Sequence, residues 1–146
     1  MKKNKGGRPT KYSKEIADEI CQLIATSSNG LNIICKSNDS LPCVGTVYNW
    51  INEYPEFLNK YTRAREEQAD FMADEILSIA DDATNDFMTV IKGDKKYDVE
   101  NKEWTSRSKL RVEARKWVAA KLKPRKYGDK IDHDIHIKTE QPLLPD

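Results

Sequence analysis

Apolar residues recur at three- and four-residue steps through most of the chain, the spacing that places a stripe along one side of an α-helix. Ser13 and Glu15 precede Ile16, Ile20, Leu23 and Ile24, so a cap, an early acid and an apolar face predict a first helix over about residues 13–27. "SSNG" stops it. Leu31 to Lys36 predicts a short second helix burying Leu31, Ile34 and Cys35, followed by the turn chemistry of "SNDSLP". Gly45 to Glu53 predicts a third helix with Val47, Trp50 and Ile51 inward. Three short helices closed over a few aliphatics and a tryptophan are the pattern of a compact helix-turn-helix unit.

Tyr54 precedes a proline and is pushed toward extended backbone, while Pro55 suits the first position of a new helix. From Pro55 to about Ala83 there is no glycine or further proline, and Phe57, Tyr61, Ala64, Phe71, Met72, Ile76, Ile79 and Ala83 keep the helical spacing. Ala69, Ala73 and Ala80 form a second line, small enough for another helix to approach closely. A helix of that length, roughly 43 Å at about 1.5 Å per residue, exceeds what its short neighbours can cover, so it expects partners. Residues 85–105 are mixed and polar, with a short hairpin turning at "KGDK". Ser106 to Leu122 predicts a further helix with Leu110, Ala114, Trp117 and Val118 on its packed face and Pro124 ending it. Finally Ile131, His133, Ile135 and Ile137 alternate with Asp132, Asp134, His136 and Lys138, the period of a half-buried strand. A lone strand is unstable in water, so this one expects pairing, most simply with the same strand of other subunits. The expected fold is thus all-α with a C-terminal β-strand. It divides into a basic arm (1–12), a helix-turn-helix unit (13–54), a helical oligomerisation region (55–125, with 85–105 as a loop or hairpin) and a strand with its tail (126–146).

Charge changes this picture more than composition does. The net charge of the 146 residues is +1, yet the signs are segregated into blocks. Five basic and no acidic residues precede Ser13; residues 66–103 carry 12 acids against 4 bases; residues 104–130 carry 10 bases against 2 acids. No apolar run approaches the roughly 20 residues that span a bilayer, and the basic N-terminus leads into no apolar segment of a secretory signal, so a cytosolic chain with no membrane contact is expected. Cys21, Cys35 and Cys43 are odd in number and lack the paired spacing of a zinc site, which suits free thiols buried among apolar neighbours.

No catalytic constellation emerges. The chain has no phosphate-binding glycine loop with its lysine and no nucleophile beside a base, so neither enzymatic activity nor a cofactor is expected. His133, Asp134 and His136 resemble metal ligands in composition, but strand alternation puts His133 on the opposite face from the other two, and no metal is expected. Asp81, Asp82 and Asp86 read as solvated acids at a helix end. "KGGRPTK" is more informative. Lys5, Arg8 and Lys11 form a basic arm in which Arg8 suits a narrow A·T-rich minor groove, or else the arm contacts phosphates without sequence preference. On the third helix the outward residues Thr46, Tyr48, Asn49 and Asn52 are candidate DNA contacts, with Asn49 able to pair bidentately with adenine. Arg107, Arg111 and Arg115 form a stripe expected to pair with Glu66, Glu67, Asp70, Asp74 and Asp81, within a chain or between neighbours. Lys121, Lys123, Arg125, Lys126 and Lys130 then remain as a second basic contact, to DNA or to an acidic partner.

Four blocks in this order resemble the small subunit of the tailed-bacteriophage terminase: "GRPTKYSKEIADEIC", "TVYNWINEYPEF", "YTRAREEQADFMADEILSIADDA" and "LRVEARKWVAAKLKPRKYGDK". The resemblance implies a non-enzymatic protein that binds double-stranded viral DNA at the packaging site in the host cytoplasm. It also implies a ring of about eight to ten subunits that presents DNA to a large subunit bearing ATPase and nuclease activities. The central helices, through Phe71, Met72, Ile76, Ile79 and Trp117, would build the ring, and Ile135 and Ile137 would belong to an intersubunit β-barrel. Relatives often carry arginine or lysine where this chain has Val44 and Asn49, and the 85–105 segment looks longer than theirs. Two other readings stay open: a helix-turn-helix transcriptional regulator acting as a dimer on paired half-sites, and a scaffold that binds protein alone.

Overall fold

The computed structural model describes residues 11–129. Six helices and one two-stranded ribbon follow in the order α1 (Lys14–Ala25), α2 (Leu31–Ser37), α3 (Val44–Glu53), α4 (Pro55–Asp81), β1 (Phe87–Lys92), β2 (Lys95–Glu100), α5 (Lys102–Leu122) and α6 (Pro124–Tyr127). The expected C-terminal strand lies outside the described residues, as do Lys5, Arg8, Lys130, His133, Asp134, Ile135, His136 and Ile137.

Local chemistry accounts for the boundaries. Ser13 caps α1 by accepting from the Ile16 N–H at 3.3 Å, and Pro55 opens α4 without needing a hydrogen bond. Asn101 caps α5 by accepting from the Trp104 N–H at 3.2 Å, so α5 starts at Lys102, four residues before the apolar pattern suggests. β1 and β2 pair antiparallel from Phe87 opposite Glu100 to Lys92 opposite Lys95. Gly93, at φ 63°, opens the two-residue turn, a conformation other residues adopt with strain.

Two buried clusters share α4. The first joins α1, α2 and α3 to the opening turns of α4, with Ile20, Ile24, Leu41, Val47, Trp50 and Phe57 almost fully enclosed. Tyr12 stacks on Tyr54 with ring centroids 3.8 Å apart and meets Trp50 edge-on, which seals the cluster where the chain enters. The second cluster is smaller: Ala69 and Met72 of α4 against Ala119 of α5, flanked by Val118, Leu122 and Tyr127. Ala69, one of the small residues expected to admit a neighbouring helix, is completely buried there.

Two expectations are corrected. Cys43 is exposed rather than buried, because it is the N-cap of α3 and half outside the helix; Cys21 is half-buried and only Cys35 lies in the core. The packed face of α5 is also rotated. Leu110 and Trp117 are 71% and 65% exposed and Ala114 is exposed, while Ala119, with Val112 and Val118 beside it, turns toward α4.

Gln68 is the buried polar side chain of the described residues. Its amide donates to the Ser27 and Asn29 carbonyls at 2.7 and 3.0 Å, and its oxygen accepts from Arg65. The α1–α2 turn is thereby fastened to the middle of α4. Gln68→Leu keeps the volume but removes the donor to two part-buried carbonyls, so a loss of about 1–3 kcal/mol is expected by urea denaturation. Unchanged stability would show that water satisfies that turn.

Candidate nucleic-acid interface

α3 presents one buried and one open side because Val47 and Trp50 are pinned in the core. The opposite side carries Tyr48, Asn49 and Asn52, all exposed, with Gly45 between them; Thr46 is half-buried at its edge, beside the Cys43 thiol at 3.2 Å. The structure therefore brings the four expected α3 residues onto one surface. That surface holds hydrogen-bonding groups and no cation, and Glu53 lies at its end.

The surrounding electrostatics reinforce that deficit. Residues 13–54 carry two basic and five acidic side chains, a net of −3. Lys14 pairs with Glu56 at 3.6 Å, and Lys60 of α4 pairs with Asp18. Lys36, in the last turn of α2, is left as the exposed cation of this unit outside any ion pair among the described residues. Lys11 is exposed at the entrance to α1. A polar surface with so little positive charge offers few phosphate contacts to a duplex.

The second basic region is half occupied among its described residues. Lys123 and Lys126 donate to Asp70 at 2.8 and 2.9 Å, and the Tyr127 hydroxyl donates to the same carboxylate at 2.6 Å. Pro124 does end α5, but it also opens the single turn α6, which swings Lys126 and Tyr127 back against α4. Of the expected cluster, Arg125 is exposed and Lys121 lies 5.8 Å over the Trp117 ring. The arginine stripe divides in the same way. Arg115 forms a forked pair with Glu75 at 2.6 and 2.9 Å and reaches Ser28 at 3.3 Å, whereas Arg107 pairs with Glu103 on its own helix. Glu75 was not among the acids expected to take part; its place next to the Arg115 level of the antiparallel helix, rather than any sequence motif, selects it. Asp81 and Asp82 are exposed, and Asp82 accepts from the Thr84 N–H at 3.1 Å. Met72 and Ile79 are buried within the chain, Ile76 is half-buried, and Phe71 and Trp117 remain exposed.

The family model described as "Bacteriophage Sf6, terminase small subunit-like" matches residues 12–134. The chain belongs to that family. Crystal structures of three single-substitution variants of the terminase small subunit gp1 of the bacterial virus Sf6 are similar to it. Two share 31% identity at a TM-score of 0.68 and the third 30% at 0.69, each covering 93% of this chain and 98% of its own. No curated protein sequence matches. No helix among the described residues of this family member is long and apolar enough to cross a membrane.

Asp70 offers a direct test of the α6 contact. The Lys123 ammonium, then the Tyr127 hydroxyl and Lys126, hold its carboxyl well below the usual carboxylate range. A depressed folded pKa means that the contact stabilises the fold above the unfolded value of about 3.9 and is lost as pH falls through the lower folded value. The stability gap between the parent protein and Asp70→Asn is expected to be full at neutral pH and to narrow below about pH 4. Thermal melts across that range check this, and a gap independent of pH would remove the carboxylate from the account.

Proposed function

We propose that this protein starts viral genome packaging: it binds double-stranded viral DNA at the packaging site, assembles as a ring and recruits the large ATPase–nuclease subunit. Family membership over most of the chain is the observation that carries this reading. Its division of labour follows from the charges. The three N-terminal helices act as a helix-turn-helix unit in which Thr46, Tyr48, Asn49 and Asn52 face the bases. The basic arm, with Lys5, Arg8 and Lys11, supplies most of the phosphate neutralisation that the electronegative unit cannot. The α4–α5 pair, with Phe71 and Trp117 exposed along it, forms the body of the ring, and the strand containing Ile135 and Ile137 closes an intersubunit barrel. No chemical step belongs to this chain; ATP hydrolysis and cleavage belong to the large subunit.

Deleting residues 1–11 is expected to weaken duplex binding by about tenfold or more at low salt and to flatten its salt dependence, since several phosphate contacts go. Native mass spectrometry with and without duplex, read beside a salt titration, tests the whole proposal. A dimer with no larger species favours the regulator reading instead, and unchanged affinity after the deletion moves the grip to exposed Lys121 and Arg125.

A further inference from the structure

The α4–α5 pair has two outer sides of opposite character. On α4, Met72, Ala69 and Ile79 turn inward, so the far side is the stripe containing Glu67, Asp74 and Asp81, spaced seven residues apart and all exposed. Leu77, 65% exposed, flanks the stripe; Arg63 lies on it at the level of the N-terminal helices, and Asp70, between Glu67 and Asp74, adjoins it and is held by Lys123 and Lys126 of the same chain. On α5, Ala119 turns inward, so the far side carries Leu110, Ala114, Trp117 and Lys121, with Glu113 at its edge, all exposed. Glu103 shares that side but is occupied by Arg107. One pair of helices thus offers an acidic outer face and, pointing away from it, an apolar face with a cation at one end.

Height along the helices is fixed by the Glu75–Arg115 pair. The helices run antiparallel, so six residues back along α4 from Glu75 and six forward along α5 from Arg115 reach the same level. Lys121 therefore lies between the heights of Glu67 and Asp74, and Trp117 lies within about one helical turn of Leu77 and Asp74. Copies related by rotation about an axis parallel to these helices stand at equal height.

We infer that neighbouring copies join head-to-tail, the Leu110–Trp117–Lys121 face of α5 in one copy lying against the Glu67–Asp74–Asp81 face of α4 in the next. Charge complementarity selects a second copy as the occupant, and placement on opposite sides makes the contact heterologous rather than two-fold. A heterologous contact generates a ring when its rotation closes. Trp117 and Leu110 supply the apolar centre against Leu77, and Lys121, already positioned over the Trp117 ring, supplies the charge that sets register. This rests on the ring reading above and adds which faces meet.

A charge exchange tests it by native mass spectrometry. Lys121→Glu alone, and Glu67→Lys with Asp74→Lys, are each expected to reduce the full assembly at least tenfold in favour of smaller species. All three together are expected to restore it. The substituted side chains are exposed, and circular dichroism of each variant verifies that the helices are kept. Assemblies that survive the partial exchanges, or that the triple exchange fails to restore, overturn the facing assignment. A parent protein that is monomeric or dimeric overturns the ring reading itself.

Discussion

Gln68 marks the level on α4 where the two buried clusters meet, and its side-chain amide has no solvent to turn to. A buried amide must be hydrogen-bonded or it costs more than the surrounding packing returns. Its partners are the Ser27 and Asn29 carbonyls, which belong to the turn between α1 and α2. Arg115 reaches the same turn from α5 through Ser28 while holding Glu75 of α4. Polar contacts through this short turn thus add to the apolar packing of α1 and α5 on α4. The orientation of the N-terminal helices relative to the α4–α5 pair is set by the apolar cluster on the opening turns of α4 together with these polar contacts.

That fastening also sorts the charges. The ion pairs across the α4–α5 seam, Glu75 with Arg115 and Asp70 with Lys123 and Lys126, take the acids and bases nearest the contact. Whatever lies further around each helix is left exposed, acids on α4 and a tryptophan with lysine on α5. The segregation seen as blocks along the sequence becomes a segregation of faces because the two helices pack with their mixed sides inward. A like-charged helix pair could not have used the same contacts for both purposes.

α1, α4 and the β1–β2 ribbon were legible because each carries a strong local device: Ser13 before α1, Pro55 at the head of α4, and Gly93–Asp94 between β1 and β2. The facing of α5 was not, since Leu110, Val112, Trp117, Val118 and Leu122 are spread around its circumference. Periodicity names a face only when one face is apolar, and this helix has apolar residues toward α4 and away from it. The Asp70 contact was hidden for another reason. Lys123, Lys126 and Tyr127 are far from it in sequence, and only the extra turn begun by Pro124 returns them to α4. A glutamine within the buried line of Ala64, Ala69 and Met72 was the available sign that α4 meets a loop there.

The negative charge of the three N-terminal helices has a consequence for the proposed DNA complex. With residues 13–54 at a net of −3, the three N-terminal helices of one copy neutralise few phosphates by themselves. Linking copies in a ring changes that arithmetic, because each further contact is made at high effective concentration and adds without a new interface. Weak single contacts then favour a long stretch of DNA touched by several copies over a short site held by one. In the proposed complex, sequence selection falls to α3 side chains such as Asn49, since hydrogen bonds to base edges depend less on salt than phosphate pairing does.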